Sequence, residues 1–147
     1  MRDRRQAAGT EGTGTMSAAV GLVNLDEYQR LQARVMSEED LAKCIIGAAQ
    51  RLGWHVKRDP PWRATGEKDD PRVGFPDLVM LRDGEMIVAE LKGERGRLSK
   101  AQLDWLNQFA LLAVAEPYQG HPIIGQISVC VWRPSDWLSG RVLELLQ

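Results

Sequence analysis

No apolar run in this chain approaches the roughly 18–20 residues that cross a bilayer, and the amino-terminal stretch lacks the apolar region of a secretory signal. A soluble cytoplasmic protein with no membrane partner is expected. Cysteine is almost absent. Cys44 and Cys130 stand in apolar surroundings with no second Cys or His at metal-ligand spacing, which excludes a disulfide scaffold and a zinc site and leaves two free core thiols. His55 and His121 also lack a ligand partner at a recognised spacing and read as structural. A dominant charge sign is missing too: the formal net charge is -1, so any attraction to nucleic acid must come from a local basic patch. Internal repeats and extended low-complexity tracts are lacking as well.

What is present suits one domain. The 147 residues, 44% hydrophobic and 27% charged, are enough to bury a real core. Residues 1–24 begin with an Arg-rich cluster and continue in Gly, Thr, Ala and Ser, so a disordered, solvated tail is expected there. Residues 25–36 carry Leu25, Tyr28, Leu31 and Val35 near helical spacing and form a helix that packs on the core or on a second subunit. Residues 37–147 make the main domain.

Ser37 followed by Asp40 resembles a capping box, Glu38 and Glu39 suit the positive end of a helix dipole, and Gly53 stops the helix predicted over 38–52. Leu41, Ile45, Ala48, Ala49 and Leu52 lie on one stripe of it, which Glu38 extends by a turn. Residues 54–58 read as a short strand, and 59–73 as a loop rich in Pro, Gly and charge. There Arg58, Arg63, Lys68 and Arg72 could track a phosphate backbone with Trp62 stacking, although each alone reads as solvated surface.

Two apolar runs then carry charges. Gly74-Phe75-Pro76-Asp77-Leu78-Val79-Met80-Leu81 and Ile87-Val88-Ala89-Glu90-Leu91-Lys92 flank Asp83-Gly84, a strong hairpin signal, and predict two antiparallel strands. Alternation puts Asp77 on a face with Val79 and Leu81, and Glu90 and Lys92 on a face with Val88. Buried charges must pair or hold a metal, since an isolated ion in the interior costs several kcal/mol. Carboxylate oxygens suit Mg²⁺ or Mn²⁺, which takes one or two carboxylates, waters and substrate phosphate. Phosphodiester hydrolysis is the chemistry this describes. The opposing reading is a surface hairpin with an exposed Glu90–Lys92 pair worth about 0–1 kcal/mol.

After Lys92, the charges of Arg95, Arg97 and Lys100 exceed Glu94 and make a basic loop suited to phosphate. Ser99 with Gln102 forms a capping box and Leu98 with Leu103 a hydrophobic staple, so a helix starts at Lys100, with Trp105, Leu106, Phe109, Leu112 and Ala113 facing inward. Ile127, Val129 and Val131 alternate in a strand, and Ser135 caps a final helix.

Pro76-Asp77 with Glu90-Leu91-Lys92 resembles the PD-(D/E)xK nuclease motif. With Gly74-Phe75 before it and Gly96-Arg97-Leu98-Ser99 and Gln102 after it, the string is similar to the virus-type replication-repair nuclease (VRR-NUC) branch of that superfamily. The resemblance implies an α/β restriction-endonuclease-like core with a central mixed sheet flanked by helices. It implies a metal-dependent DNA endonuclease acting on branched DNA such as four-way junctions, in phage or prokaryotic DNA processing, as a homodimer. Asp77 and Glu90 would be metal ligands with the Leu91 carbonyl as a third, and Lys92 would orient the nucleophilic water. Glu38 and Gln102 match positions near the family's site, although helix-start charge and the capping box explain them structurally. The connection at 116–125 is longer than the family usually has. The alternatives are a nucleic-acid-binding module of the same fold with weak catalysis, and a partner-binding α/β domain.

Overall fold

The computed structural model describes residues 24–59, 72–113 and 126–147. Helix α1 (Leu25–Val35) is capped by Asn24, whose side chain accepts from the Asp26 amide. Helix α2 (Glu38–Arg51) starts at Ser37, whose Oγ accepts from the Asp40 amide at 3.0 Å, and stops before Gly53, whose φ of 86° few other residues adopt. The sheet is built from β1 (His55–Arg58), β2 (Leu78–Arg82), β3 (Glu85–Leu91) and β4 (Gln126–Trp132), in that spatial order. β1, β2 and β3 pair antiparallel, the β2–β3 turn falling at Asp83-Gly84, whereas β4 lies parallel to β3. Helix α3 (Lys100–Ala113) lies between β3 and β4 in the chain, as a parallel pair requires a crossover. Two short helices, α4 (Pro134–Leu138) and α5 (Arg141–Leu146), end the chain. The result is an α/β fold, a mixed sheet flanked by helices, as a restriction-endonuclease-like core has.

Alternation divides the sheet. Leu78, Met80, Ile87, Ala89 and Leu91 join Leu41, Ile45, Ala49, Trp54, Val142 and Leu146 in the main core. The register places Val79 opposite Val88, and Val88 and Glu90 opposite Val129 and Val131, so these residues share the other face, on the side where α3 packs against β3 and β4. A charged side chain therefore lies beneath a helix.

Several expectations are corrected. Leu52 is the exposed C-cap of α2 rather than the end of its apolar stripe. On α3, Leu106 is buried and Trp105 and Phe109 are half-buried, but Leu112 and Ala113 face solvent. Ser135 is not the cap: α4 begins at Pro134, and the carboxylate of Asp136 turns back to accept from the Arg133 amide at 2.9 Å. The single final helix is two, separated at Gly140 with a φ of 86°. Cys44 and Cys130 are free and only partly buried. The tail at 1–23, most of the 59–73 loop including Trp62, Arg63 and Lys68, and the 116–125 connection with His121 lie outside the described residues.

Candidate active site

Asp77 precedes β2 and Glu90 nearly ends β3, next to the last paired residues, Leu78 and Ala89. Asp77 Oδ2 accepts from the Leu91 amide at 2.7 Å, which ties the two strand ends together. Glu90 is 1% exposed. Its Oε1 takes the Lys92 ammonium at 2.7 Å and also the Gln102 side-chain amide, whereas Oε2 is buried with no hydrogen-bond partner among the described residues.

Gln102 resolves a conflict left by its sequence position. Its Oε1 accepts from the Ser99 amide at 2.8 Å, while the Ser99 hydroxyl accepts from the Gln102 amide at 3.2 Å, so the capping box is real. The same side chain donates its Nε2 to Glu90. Capping and contact with the acidic centre are thus one arrangement.

Glu38 and Glu39 part company. Glu39 pairs with Arg58, Nη1 to Oε1 at 3.2 Å, which pulls the Glu39 carboxyl below its usual range and engages one of the cations considered for phosphate. Glu38 instead accepts from the Gly93 amide at 2.8 Å and lines a cleft of about 390 Å³ together with Asp77, Leu91 and Arg58. Three carboxylates therefore feel one another. Burial raises Asp77, the Leu91 amide and Lys92 opposing it and Glu38 adding to it. Burial also pushes Glu90 up to about 7, against the hydrogen bond from Lys92 and with added repulsion from Asp77 and Glu38.

A divalent cation fits this set. The orphaned Glu90 Oε2 and the mutual repulsion of the carboxylates mark a deficit of positive charge, and the donors are all oxygen. Among the described residues no three His, Cys, Asp or Glu side chains already close around a point.

Two residues support the site in ways the sequence did not assign, Gly74, quoted there only as part of the motif string, and Arg133. Gly74, with a φ of 83°, lies so close to the start of α3 that a Cβ there would sit 2.5 Å from the Ala101 carbonyl carbon. The Gly-Phe-Pro lead thus presses on α3, Phe75 meeting Trp105 edge-on at 5.0 Å and Trp105 donating to the Val73 carbonyl at 3.2 Å. Arg133 donates to the Gly93 carbonyl at 2.8 Å and steadies the backbone that holds Glu38. Of the basic loop, Arg95 and Arg97 are exposed with no ion pair among the described residues, while Lys100 pairs with Asp104 at 2.7 Å in solvent.

The family model described as the VRR-NUC domain matches residues 22–114. No curated protein matches the chain. No helix among the described residues is long and apolar enough to cross a membrane.

Proposed function

The chain belongs to the VRR-NUC family, a nuclease family whose substrate is DNA, and on that premise we propose that it is an Mg²⁺- or Mn²⁺-dependent DNA endonuclease selective for branched structures such as four-way junctions. The observation that carries this reading is the buried carboxylate of Glu90, its Oε1 on Lys92 and its Oε2 unpartnered, beside Asp77. In this reading Asp77, Glu90 and the Leu91 carbonyl would hold the ion, with Glu38 at the edge of the same cleft. Such an ion supplies Lewis-acid charge to phosphoryl oxygens and acidifies water.

The chain's own residues do the rest. Lys92, 12% exposed and held by Glu90, keeps its ammonium at the acidic centre, where it orients the attacking water and offsets negative charge developing on the phosphoryl group. Gln102 and Lys92 together fix one oxygen of Glu90, leaving the other for the ion. The Gly93 amide holds Glu38, and Arg133 holds the Gly93 carbonyl. Arg95, Arg97 and Lys100 follow in the chain and supply positive charge for the DNA backbone; Arg63 extends that set in our reading.

Symmetric cutting of a junction calls for two such centres, and a homodimer provides them. Support comes from α1, where Leu25, Tyr28, Leu31 and Val35 are all at least half-exposed along one face. The deciding experiment is incubation with labelled linear, flap and four-way DNA in Mg²⁺, Mn²⁺ or EDTA. Cleavage of the branched substrates with either ion and none in EDTA is expected. Absence of cleavage under every condition sinks the proposal.

A further inference from the structure

A second groove, of about 730 Å³, lies between α1, α4 and the loop that follows Lys92. Its walls carry Arg30 and Arg34 from α1, Arg95 from the loop and Arg141 at the start of α5, with Asp26, Glu94 and Asp136 among them. The formal charges nearly balance, but their commitments do not. Glu94 accepts from the Ser135 amide at 3.1 Å. Asp136 accepts from the Arg133 amide at 2.9 Å and pairs with Arg141 at 3.5 Å. Asp26 sits in the first turn of α1, where a carboxylate answers the helix dipole.

Arg30, Arg34 and Arg95 are exposed and have neither an ion pair nor a side-chain hydrogen bond among the described residues. Arg30 and Arg34 are one turn apart, a like-charge spacing that disfavours the helix. Three unneutralised guanidinium groups thus line one groove, a fork geometry that matches phosphate oxygens.

The groove also adjoins the acidic centre. Arg95 is three residues beyond Lys92, so their Cα atoms lie within about 11 Å of each other. The Arg95 wall is held in place because Arg133 donates to the Gly93 and Glu94 carbonyls at 2.8 and 3.4 Å.

We propose that this groove binds the sugar–phosphate backbone of a DNA segment flanking the bond at the Asp77–Glu90 centre, with Arg30, Arg34 and Arg95 as its phosphate contacts; this rests on the nuclease reading above. It assigns α1 two separate tasks, since the arginines and the exposed apolar residues occupy different faces of the helix.

The test compares the full chain with its Arg30→Ala/Arg34→Ala variant, by fluorescence anisotropy of labelled duplex DNA in Ca²⁺ across a salt series. Both arginines are exposed and, among the described residues, unpaired, and Ala favours the helix, so the variant keeps its fold, which circular dichroism checks. Binding of the variant is expected to weaken tenfold or more at low salt, and the slope of log K against log salt to fall by about 1.8 for two lost contacts. An Arg30→Lys/Arg34→Lys variant should recover most of that slope, because phosphate neutralisation needs charge. Superimposable salt curves, in a protein that binds and cuts DNA, overturn the groove and leave the nuclease reading intact. A wild type that binds with this arginine dependence but cuts nothing removes the nuclease reading and with it the groove's place beside a scissile bond, leaving only a DNA-binding groove. A wild type that does not bind DNA removes both.

Discussion

Glu90 divides its carboxylate between two demands, Oε1 being shared by Lys92 and Gln102 while Oε2 lies buried without a partner among the described residues. Removing charge here should separate catalysis from folding. Asp77→Asn and Lys92→Ala are each expected to lose about 10²-fold or more in cleavage rate with an unchanged circular dichroism spectrum. Full activity in either variant would remove it from the centre. A pH dependence follows from Glu90 as well, since its folded carboxyl is pushed up to about 7 by burial, above the ordinary 4.5. Between those values the native state keeps a proton that the unfolded chain has released, so this contribution to stability is full below the ordinary value and is lost as pH rises through about 7. In EDTA, urea unfolding should show stability falling by about 1–3 kcal/mol between about pH 5 and pH 8. Glu90→Gln should flatten that slope; an equally steep slope in the variant would assign the titration to another group.

At the scale of elements, the site depends on contacts between segments that carry no charge. Gly74 lets the Phe75-Pro76-Asp77 lead approach α3, and Gln102 at the start of α3 reaches Glu90. Gly74→Ala combines a strained positive φ with a Cβ 2.5 Å from the Ala101 carbonyl carbon, so α3 must shift. A loss of about 2 kcal/mol or more in stability is expected, with cleavage falling further than unfolding accounts for. Normal activity in the folded fraction would show that the α3 start tolerates displacement. The far end of the hairpin is latched differently. Arg82 at the end of β2 donates to the Leu146 carbonyl at 2.7 Å and to the Gln147 carbonyl at 3.2 Å, and lies 4.4 Å from the Trp54 ring centroid. Arg82→Met should cost about 2 kcal/mol in urea unfolding and leave catalysis per folded molecule unchanged, because the latch is at the opposite end of the strands from Asp77.

For the whole molecule, assembly is the open dimension. A homodimer through α1 would cover Leu25, Tyr28, Leu31 and Val35, which are 67%, 52%, 50% and 76% exposed. Light scattering should give twice the chain mass for the wild type, and Leu31→Glu/Val35→Glu should give one chain mass with the junction cut in one strand at a time. A monomeric wild type that still resolves junctions symmetrically would remove the dimer from the mechanism.

Much of this was legible in the residues. Asp83-Gly84 between alternating runs determined the hairpin, and Ser37 and Ser99 determined two helix starts, because each depends on contacts within a few residues. The hairpin in turn brings Asp77, thirteen residues before Glu90, to the same end of the paired strands, so charges within two apolar runs pointed to an acidic centre. Ser135 misled for the same reason: a local cap signal lost to Asp136, which closes the turn one residue further on. What the sequence could not decide were choices between equal local options. Glu38 and Glu39 are alike as helix-start acids, and only the fold turns one to the Gly93 amide and the other to Arg58. Gln102 is a complete capping residue until α3 lies over β3 and its amide meets Glu90. The parallel pairing of β4 with β3 sets Trp132 beside Leu91 and so brings Arg133 to the Gly93 carbonyl. Registers between distant segments follow from the packing of both sheet faces, and no periodicity within one segment encodes them.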